Sequence, residues 1–169
     1  MGTKKINLLI VDDEEQFLNA MTRRLQVRGF HVIAVDRGEK ALEAAQTQPV
    51  DIALVDLKMP GIDGEKTLKA LKAKHPWMEV IILTGHGSID SAVECIKTGA
   101  YAYLQKPCEF EHLLDMLIAA YKRKVINKTQ MDEKKMEEFL RPALSESPTA
   151  ILQKIRELDS ESDRQDADA

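Results

Sequence analysis

Acidic residues follow two apolar runs of the sequence, and together they could form a metal site. Asp12 and Asp13 come directly after the mostly apolar run 6–11, and Asp56 follows the run 52–55. Carboxylates that lie close together repel one another and raise each other's pKa, so a stable cluster needs a positive charge nearby. Mg²⁺ suits this role because it prefers hard oxygen ligands in octahedral geometry. The spacing therefore predicts a magnesium site formed by Asp12, Asp13 and Asp56.

A threonine and a lysine follow two further apolar runs. Thr84 comes after the run 80–83, and Lys106 lies shortly after the run 100–104. Beside a metal ion, the lysine would neutralise negative charge on phosphoryl oxygens while one carboxylate attacks the phosphorus in line. Taken one at a time, such residues have ordinary interpretations as helix caps, loop acids or surface lysines. Their joint occurrence in this order favours phosphoryl transfer.

The elements that would position these residues alternate between strands and helices. Strands are predicted at 6–11, 30–35, 51–56, 80–83 and 100–104, and helices at 14–28, 38–47, 65–74, 88–98 and 109–124. Most strand segments are continuous apolar runs, as expected for a parallel sheet that is buried on both faces. The segment 30–35 is more polar and is expected nearer an edge. Right-handed crossovers then place helices on both sides, which predicts a doubly wound α/β sandwich with its ligand site beyond the carboxyl ends of the strands.

The composition is that of an ordinary globular protein with one domain and an appendage. The chain has 169 residues, of which 44% are apolar and 31% charged, and its formal net charge is −4. Residues 159–169 account for that charge, so nothing indicates a general affinity for nucleic acid. Cys95 and Cys108 lack metal-ligand spacing, which favours a reducing cytoplasm. No secretion signal and no membrane segment are expected.

Four motifs resemble those of the receiver domain of bacterial two-component response regulators. They are LLIVDDE at 8–14, LVDLKMPGIDG at 54–64, IILTGHG at 81–87 and GAYAYLQKP at 99–107. The resemblance covers about residues 5–124. It implies a flavodoxin-like (βα)5 three-layer sandwich, whose five-stranded parallel sheet has the order 2-1-3-4-5.

The resemblance also implies a role for each site residue. Asp56 is expected to be the phosphoacceptor, and its acyl phosphate would form with Mg²⁺ as the cofactor. Asp13 is expected to bind the metal directly, and Asp12 directly or through water. The backbone carbonyl of Lys58 is expected to be a further metal ligand. Lys106 is expected to pair first with Asp56 and then with a phosphoryl oxygen.

Two residues near the site are expected to respond to phosphorylation, and two to set its lifetime. Thr84 would move toward the phosphoryl group, and Tyr103 would change rotamer with it. Lys58 lies two residues after the phosphoacceptor and His86 two residues after the threonine. Our hypothesis is that this second pair tunes hydrolysis of the acyl phosphate. The alternative is that both are solvated side chains without such a role.

The expected phosphodonor is a phosphohistidine on a sensor histidine kinase or a histidine phosphotransfer protein. Phosphorylation adds about −1.5 to −2 charge. This charge would switch the face formed by the fourth helix, fifth strand and fifth helix, and so control an unidentified downstream protein. We expect a cytoplasmic protein with no recognised DNA-binding domain and no enzyme activity beyond self-catalysed phosphoryl transfer and autodephosphorylation.

The domain organisation is predicted in three parts. A receiver domain at 1–124 is followed by a helical extension at 125–158 and an acidic tail at 159–169, which is predicted to be disordered. The extension is predicted to contain a helix at 128–140, an interruption at Arg141-Pro142 and a short helix at 149–158.

Three functions stay open at this point. The first is a single-domain regulator or phosphorelay intermediate that acts by binding a partner. The second is a dimerisation or partner-docking module that uses the C-terminal helices. The third is an enzyme with an aspartyl nucleophile, which is disfavoured because aspartyl phosphatases typically carry a second acid where this chain has Lys58.

Overall fold

Strands and helices alternate along the chain, as the sequence predicts. The computed structural model describes residues 4–144 and residue 153. The strands are β1 (Asn7–Val11), β2 (His31–Val35), β3 (Ile52–Val55), β4 (Glu79–Thr84) and β5 (Ala102–Gln105), and the helices are α1 (Glu15–Val27), α2 (Gly38–Thr47), α3 (Gly64–Lys74), α4 (Ile89–Thr98) and α5 (Phe110–Leu144). Apart from the end of α5, the predicted elements are confirmed with shifts of about one or two residues at their ends.

The strands form one parallel sheet with the order β2-β1-β3-β4-β5, which confirms the expected topology. β1, β3 and β4 lie inside the sheet, and nearly all of their residues are buried. β2 lies at one edge and is half-buried or exposed along its length. The polarity of this segment therefore predicted its edge position correctly. With helices on both faces of the parallel sheet, the fold is a doubly wound α/β sandwich.

Alternate residues of each strand contribute to two cores, one on each face of the sheet. On one face, Ile10 of β1 belongs to a cluster with Leu25 of α1 and Leu117 of α5. On the other face, its neighbour Leu9 belongs to a cluster with Leu68 of α3. All five side chains are fully buried, and burial of each contributes about 1.5–3 kcal/mol. The two cores hold the helices on both faces and fix the strands whose ends carry the site.

Two buried acids anchor α5 to the sheet at the edge opposite the strand carboxyl ends. Glu79, at the start of β4, is 3% exposed and accepts two hydrogen bonds from the Arg123 guanidinium, the one from Nε at 2.9 Å. Asp51, just before β3, accepts from the Lys124 ammonium and from the backbone N–H of Asn7. Because a buried carboxylate without a partner is costly, these pairs fix α5 along the sheet.

Helix α5 is longer than predicted. It runs without interruption from Phe110 to Leu144. The helical prediction for 128–140 is therefore confirmed, but this segment is part of α5 and not a separate helix, and the predicted end at Lys124 and interruption at Arg141-Pro142 are wrong. The intervening residues include no glycine or proline, and most of them extend a helix readily once it has formed. Pro142 lacks a backbone N–H and so removes one hydrogen bond, but the chain stays helical to Leu144.

The chain divides into two compact units, Met1–Ile126 and Asn127–Ala169. The predicted short helix at 149–158 and the predicted acidic tail at 159–169 lie outside the described residues, apart from Gln153, which is helical. Within the described part of the chain, the helices lack the combination of length and apolarity that is needed to cross a bilayer.

Candidate functional site

The carboxyl ends of β1 and β3 bring three acids together. The two strands are paired in parallel with Val11 opposite Val55, and the N–H of Asp56 donates to the Val11 carbonyl oxygen at 2.9 Å. The chain therefore leaves both strands at the same level of the sheet. One carboxylate oxygen from each of Asp12, Asp13 and Asp56 lies within 4.8 Å of the other two, so the three predicted metal ligands form one cluster.

Asp12 is buried, and both of its carboxylate oxygens have partners. Its Oδ1 accepts from the N–H of Glu14 at 2.9 Å, and its Oδ2 accepts from the Lys106 ammonium at 2.6 Å. The prediction that Lys106 pairs with Asp56 is therefore wrong for this structure, in which the lysine pairs with Asp12. Asp12 is only 2% exposed, and the contact gives its buried charge a counterion. The Lys106 Nζ also lies 4.0 Å from the centroid of the Phe17 ring, a favourable cation–π contact.

The carboxylate of Asp56 is buried and incompletely paired. The residue is 5% exposed, and within the described part of the chain its Oδ1 has no hydrogen-bond partner. Burial raises the pKa of this carboxyl above its ordinary value, the charge of Asp12 adds to the rise, and Thr84 and Lys106 oppose it. A buried oxygen without a partner is costly, so this atom is suited to receive a cation or a reacting group.

The donors at this edge of the sheet fit Mg²⁺. Three carboxylates supply hard oxygen ligands of the kind that this ion prefers, and the Lys106 ammonium alone does not neutralise three negative charges. Asp13 is exposed, while the other two acids of the cluster, Asp12 and Asp56, are buried. One side of the cluster is therefore open to solvent, which suits Mg²⁺ because this ion usually keeps several water ligands. The unpaired Oδ1 of Asp56 supplies an oxygen that no protein donor occupies among the described residues.

Thr84 ends β4 beside this cluster. Its side chain is fully buried, and its hydroxyl oxygen accepts from the N–H of His86 at 3.1 Å. Its carbonyl oxygen accepts from the N–H of Lys106 at 2.9 Å. These two hydrogen bonds join the end of β4 to the lysine that follows β5 and to the segment before α4. Movement of Thr84 would therefore displace both of those segments.

A cleft of about 650 Å³ begins at Asp13. It is bounded by the loop between β3 and α3, which includes Lys58, and by the segment between β4 and α4, which includes His86. Both of these side chains are exposed. The two residues predicted to tune the acyl-phosphate lifetime therefore line the same cleft as one of the predicted metal ligands.

Tyr103 lies on β5, and its hydroxyl reaches the start of α4. Its Oη lies 3.1 Å from the Oγ of Ser91, and Ser91 also forms a capping box with Ser88 at the N-terminus of α4. A Cβ atom on Gly87 would lie 1.5 Å from the Tyr103 Oη, so this glycine makes room for the ring. Ser91 has no predicted role, although the spacing of two serines before a helix is a capping signal that is visible in the sequence.

Known proteins resemble this chain in sequence. A family model described as the response regulator receiver domain matches residues 8–118. The transcriptional regulatory protein ZraR of Escherichia coli (strain K12) is 39% identical over 113 residues, which cover 67% of this chain and 26% of that protein. A putative response regulator NtrX-like protein of Rickettsia conorii is 36% identical over 141 residues, which cover 75% of this chain and 30% of that protein.

A solved structure resembles the chain as well. The CheY-like response regulator receiver domain protein from Methanospirillum hungatei JF-1 has a TM-score of 0.71 and 26% identity, and the match covers 73% of this chain and 99% of that one. By contrast, the chain spans only about a quarter to a third of the length of the two curated relatives. The similarity to those relatives therefore concerns the portion that they share with this chain.

Proposed function

The chain belongs to the response regulator receiver family of two-component systems, and on this premise we propose that it accepts a phosphoryl group on Asp56. The observation that supports this proposal most strongly is the state of the Asp56 carboxylate. It is buried in a cluster with Asp12 and Asp13, and its Oδ1 is unpaired among the described residues. A carboxylate oxygen that no other donor occupies is available as a nucleophile.

Each residue of the site has a distinct part in the proposed transfer. The oxygen of Asp56 attacks the phosphorus of a phosphohistidine, so that an O–P bond forms while the P–N bond breaks and the histidine nitrogen leaves with a proton from solvent. Asp12, Asp13 and the Lys58 carbonyl would hold Mg²⁺ with Asp56, and this ion, when bound, neutralises charge on the phosphoryl oxygens. Lys106, whose ammonium is already within the cluster, would move from Asp12 to a phosphoryl oxygen.

Phosphorylation is proposed to switch the face formed by α4, β5 and α5. The hydroxyl oxygen of Thr84 accepts from the His86 N–H, and its own proton, which is directed at the Asp56 carboxyl, would turn to a phosphoryl oxygen. Movement of this threonine would draw the segment before α4 toward the site and alter the contact between Tyr103 and Ser91. Contacts that differ between the two states are what shifts their populations.

The partners follow from this chemistry. The proposed donor is a sensor histidine kinase or a histidine phosphotransfer protein, and the switched face would control a downstream protein. We propose a receiver domain at 1–124, a helical extension at 125–158 and an acidic tail at 159–169. We also propose a cytoplasmic location, and no enzyme activity beyond self-catalysed phosphoryl transfer and autodephosphorylation.

Lys58 and His86 are proposed to tune the lifetime of the acyl phosphate, because both line the cleft that begins at Asp13. Each would be replaced by alanine, and the rate of dephosphorylation would be measured after removal of the phosphodonor. We expect at least one rate to change severalfold, with Lys66→Ala, an exposed lysine on α3, as the control. Rates equal to that of the wild type in both variants would rule the hypothesis out.

The continuous helix α5 favours a second candidate, phosphorylation-controlled homodimerisation. Beyond residue 124, the end of the proposed receiver domain, α5 carries exposed apolar side chains. Among them are Ile126 and Met136, which are 55% and 52% exposed. Light scattering of the wild type and of the double variant Ile126→Glu/Met136→Glu, with and without a phosphodonor, tests this candidate. Monomers under all conditions, or a wild-type dimer that forms equally without the phosphodonor, would defeat it, whereas a dimer that only the phosphodonor-treated wild type forms would support it.

Incubation with Mg²⁺ and a small phosphodonor such as acetyl phosphate tests the main proposal. Mass spectrometry should detect one added phosphoryl group that is labile in base. It should be absent from Asp56→Asn and present in the control Asp115→Asn, whose side chain is exposed on α5. A wild-type protein that binds Mg²⁺ in calorimetry but takes up no phosphoryl group would overturn the proposal.

A further inference from the structure

The loop between β3 and α3, residues 57–63, is held at its tip by the first turn of α2. The Oε1 of Glu39 accepts a hydrogen bond from the N–H of Ile62 at 3.0 Å. The same carboxylate lies against Gly61, where a Cβ atom would meet Oε1 at 2.3 Å. Gly61 has a φ of +79°, which glycine adopts at little cost. The backbone conformation at Gly61 and the absence of a side chain there thus leave room for the Glu39 carboxylate.

The residue before Glu39 adds a second contact with the same part of the loop. Gly38 is buried, and a Cβ atom there would lie 2.6 Å from the Cγ1 of Ile62 and 2.2 Å from the Oγ1 of Thr67 on α3. The backbone of α2 therefore rests directly on the Ile62 side chain. Both the amide and the side chain of this loop residue are contacted by the first turn of α2.

The other end of the loop is fixed at the acidic site. The N–H of Gly64 donates to the Leu57 carbonyl oxygen at 2.8 Å. A Cβ atom on Gly64 would lie 2.2 Å from the carbonyl oxygen of Asp56, so α3 begins directly against the backbone of the proposed phosphoacceptor. Lys58 lies between this anchor and the contact at Ile62. The backbone that would offer a carbonyl ligand is therefore held from both sides.

Charge strengthens the contact made by Glu39. The backbone N–H of Ile62 is the main cause that lowers the pKa of Glu39 below its ordinary value. The carboxylate is therefore ionised at neutral pH, and an ionised acceptor forms a stronger hydrogen bond with a backbone N–H than a neutral one does.

We propose that Glu39 is a positioning residue, which holds the loop 57–63 in place so that the Lys58 carbonyl is ready to bind a divalent cation. The inference rests on the proposed function, because it assigns Glu39 a part in the same site. A loop that is already ordered loses little freedom when the cation binds, whereas a loose loop must be ordered by the cation and weakens its binding. Glu39 acts through the loop and has no contact with the reacting atoms in this scheme.

The test compares Glu39→Ala with Glu39→Gln and with a matched control on the same helix. Glu43→Ala serves as the control, because Glu43 is an exposed acid one turn further along α2. Hydrogen exchange of the Ile62 amide and Mg²⁺ affinity by calorimetry are measured on the full chain. In Glu39→Ala we expect exchange about tenfold faster and a Kd for Mg²⁺ about three- to tenfold higher. Glu39→Gln, whose amide oxygen still accepts, should recover part of both effects, and Glu43→Ala should match the wild type.

Two outcomes would overturn the inference. One is an Ile62 amide that exchanges at the wild-type rate in Glu39→Ala, and the other is faster exchange with unchanged Mg²⁺ affinity. Neither readout requires phosphoryl transfer. A wild-type protein that binds Mg²⁺ but is never phosphorylated would therefore refute the proposed function alone. Thermal unfolding of Glu39→Gln, the less disruptive variant, shows whether the fold is retained.

Discussion

Removal of the charge of Asp56 should stabilise the metal-free protein. The carboxylate is 5% exposed, shares a cluster with Asp12, and has an Oδ1 without a partner in the described part of the chain. Asparagine keeps the shape of the side chain, removes its charge, and supplies an N–H₂ group that can donate to neighbouring carboxylates. Because an unsatisfied buried acceptor costs about 1–3 kcal/mol, we expect Asp56→Asn to raise the free energy of unfolding by about 1–2 kcal/mol at neutral pH.

The effect should depend on pH, because burial raises the pKa of Asp56 in the folded protein. The folded state therefore binds a proton at this carboxyl more tightly than the unfolded chain, whose pKa is close to the ordinary value of 3.8. The stability that this group contributes is fully present below the unfolded pKa and is lost as the pH rises through the folded pKa. The advantage of Asp56→Asn over the wild type should be largest near neutral pH and should shrink toward about pH 4.

Urea unfolding followed by circular dichroism measures this advantage. The wild type, Asp56→Asn and the exposed control Asp115→Asn would be compared in a chelator at several pH values between about 4 and 7.5. Saturating Mg²⁺ should narrow or reverse the difference, because a ligand that binds the native state stabilises it and the variant lacks one proposed metal ligand. A variant that is less stable than the wild type without metal, or a difference that does not change with pH, would refute the reasoning.

Three further predictions concern contacts around the site and the fold. Ser91→Ala should shift the ring NMR signals of Tyr103 and cost about 1 kcal/mol of stability, because it removes the tyrosine's partner and half of a capping box. Arg123→Met should lower the free energy of unfolding in urea by about 2 kcal/mol, because it leaves the buried Glu79 carboxylate without this partner. The loss is smaller than for a fully buried pair, because the arginine is partly exposed and solvent screens its charge. Lys106→Met should move the pH profile of phosphorylation to higher pH, because the lysine holds down the pKa of the acceptor. Unchanged ring signals, equal unfolding free energies or coincident pH profiles would contradict the respective predictions.

The location of the site could be predicted because parallel strands end at the same edge of a sheet. Asp12, Asp56 and Thr84 each follow an apolar run, and the pairing of β1 with β3 and of β3 with β4 brings the ends of those runs together. The order of the motifs was therefore sufficient to predict the cluster of acids. The position of β2 at the sheet edge was predictable for a similar reason, since its residues are more polar than those of the inner strands.

The choice of partners within the site could not be predicted in this way. Lys106 reaches both Asp12 and the neighbourhood of Asp56, and the sequence does not say which of the two carboxylates its ammonium contacts. The contacts of Glu39 with the β3–α3 loop and of Ser91 with Tyr103 join elements whose separation in sequence follows no helical or strand period. Only the tertiary arrangement reveals them.

The end of α5 was predicted wrongly for a different reason. The repeated apolar positions that indicate a core-facing helix stop near Lys124, and for this reason the predicted helix also stops at that residue. Loss of that pattern does not by itself stop a helix, however, and residues 125–140 contain no glycine or proline that would interrupt it. Loss of amphipathic pattern indicates loss of packing against the sheet, while the helix itself continues.

The central claim is that Asp56 carries the phosphoryl group, and chemical mapping of the modified residue tests it most directly. Borohydride reduces an aspartyl phosphate to homoserine, and peptide mass spectrometry then locates the change. After treatment with Mg²⁺ and a small phosphodonor, we expect homoserine at position 56 and unchanged aspartates at positions 12 and 13. Homoserine at either of those two positions, or a phosphoryl group that is retained on another side chain, would contradict the claim.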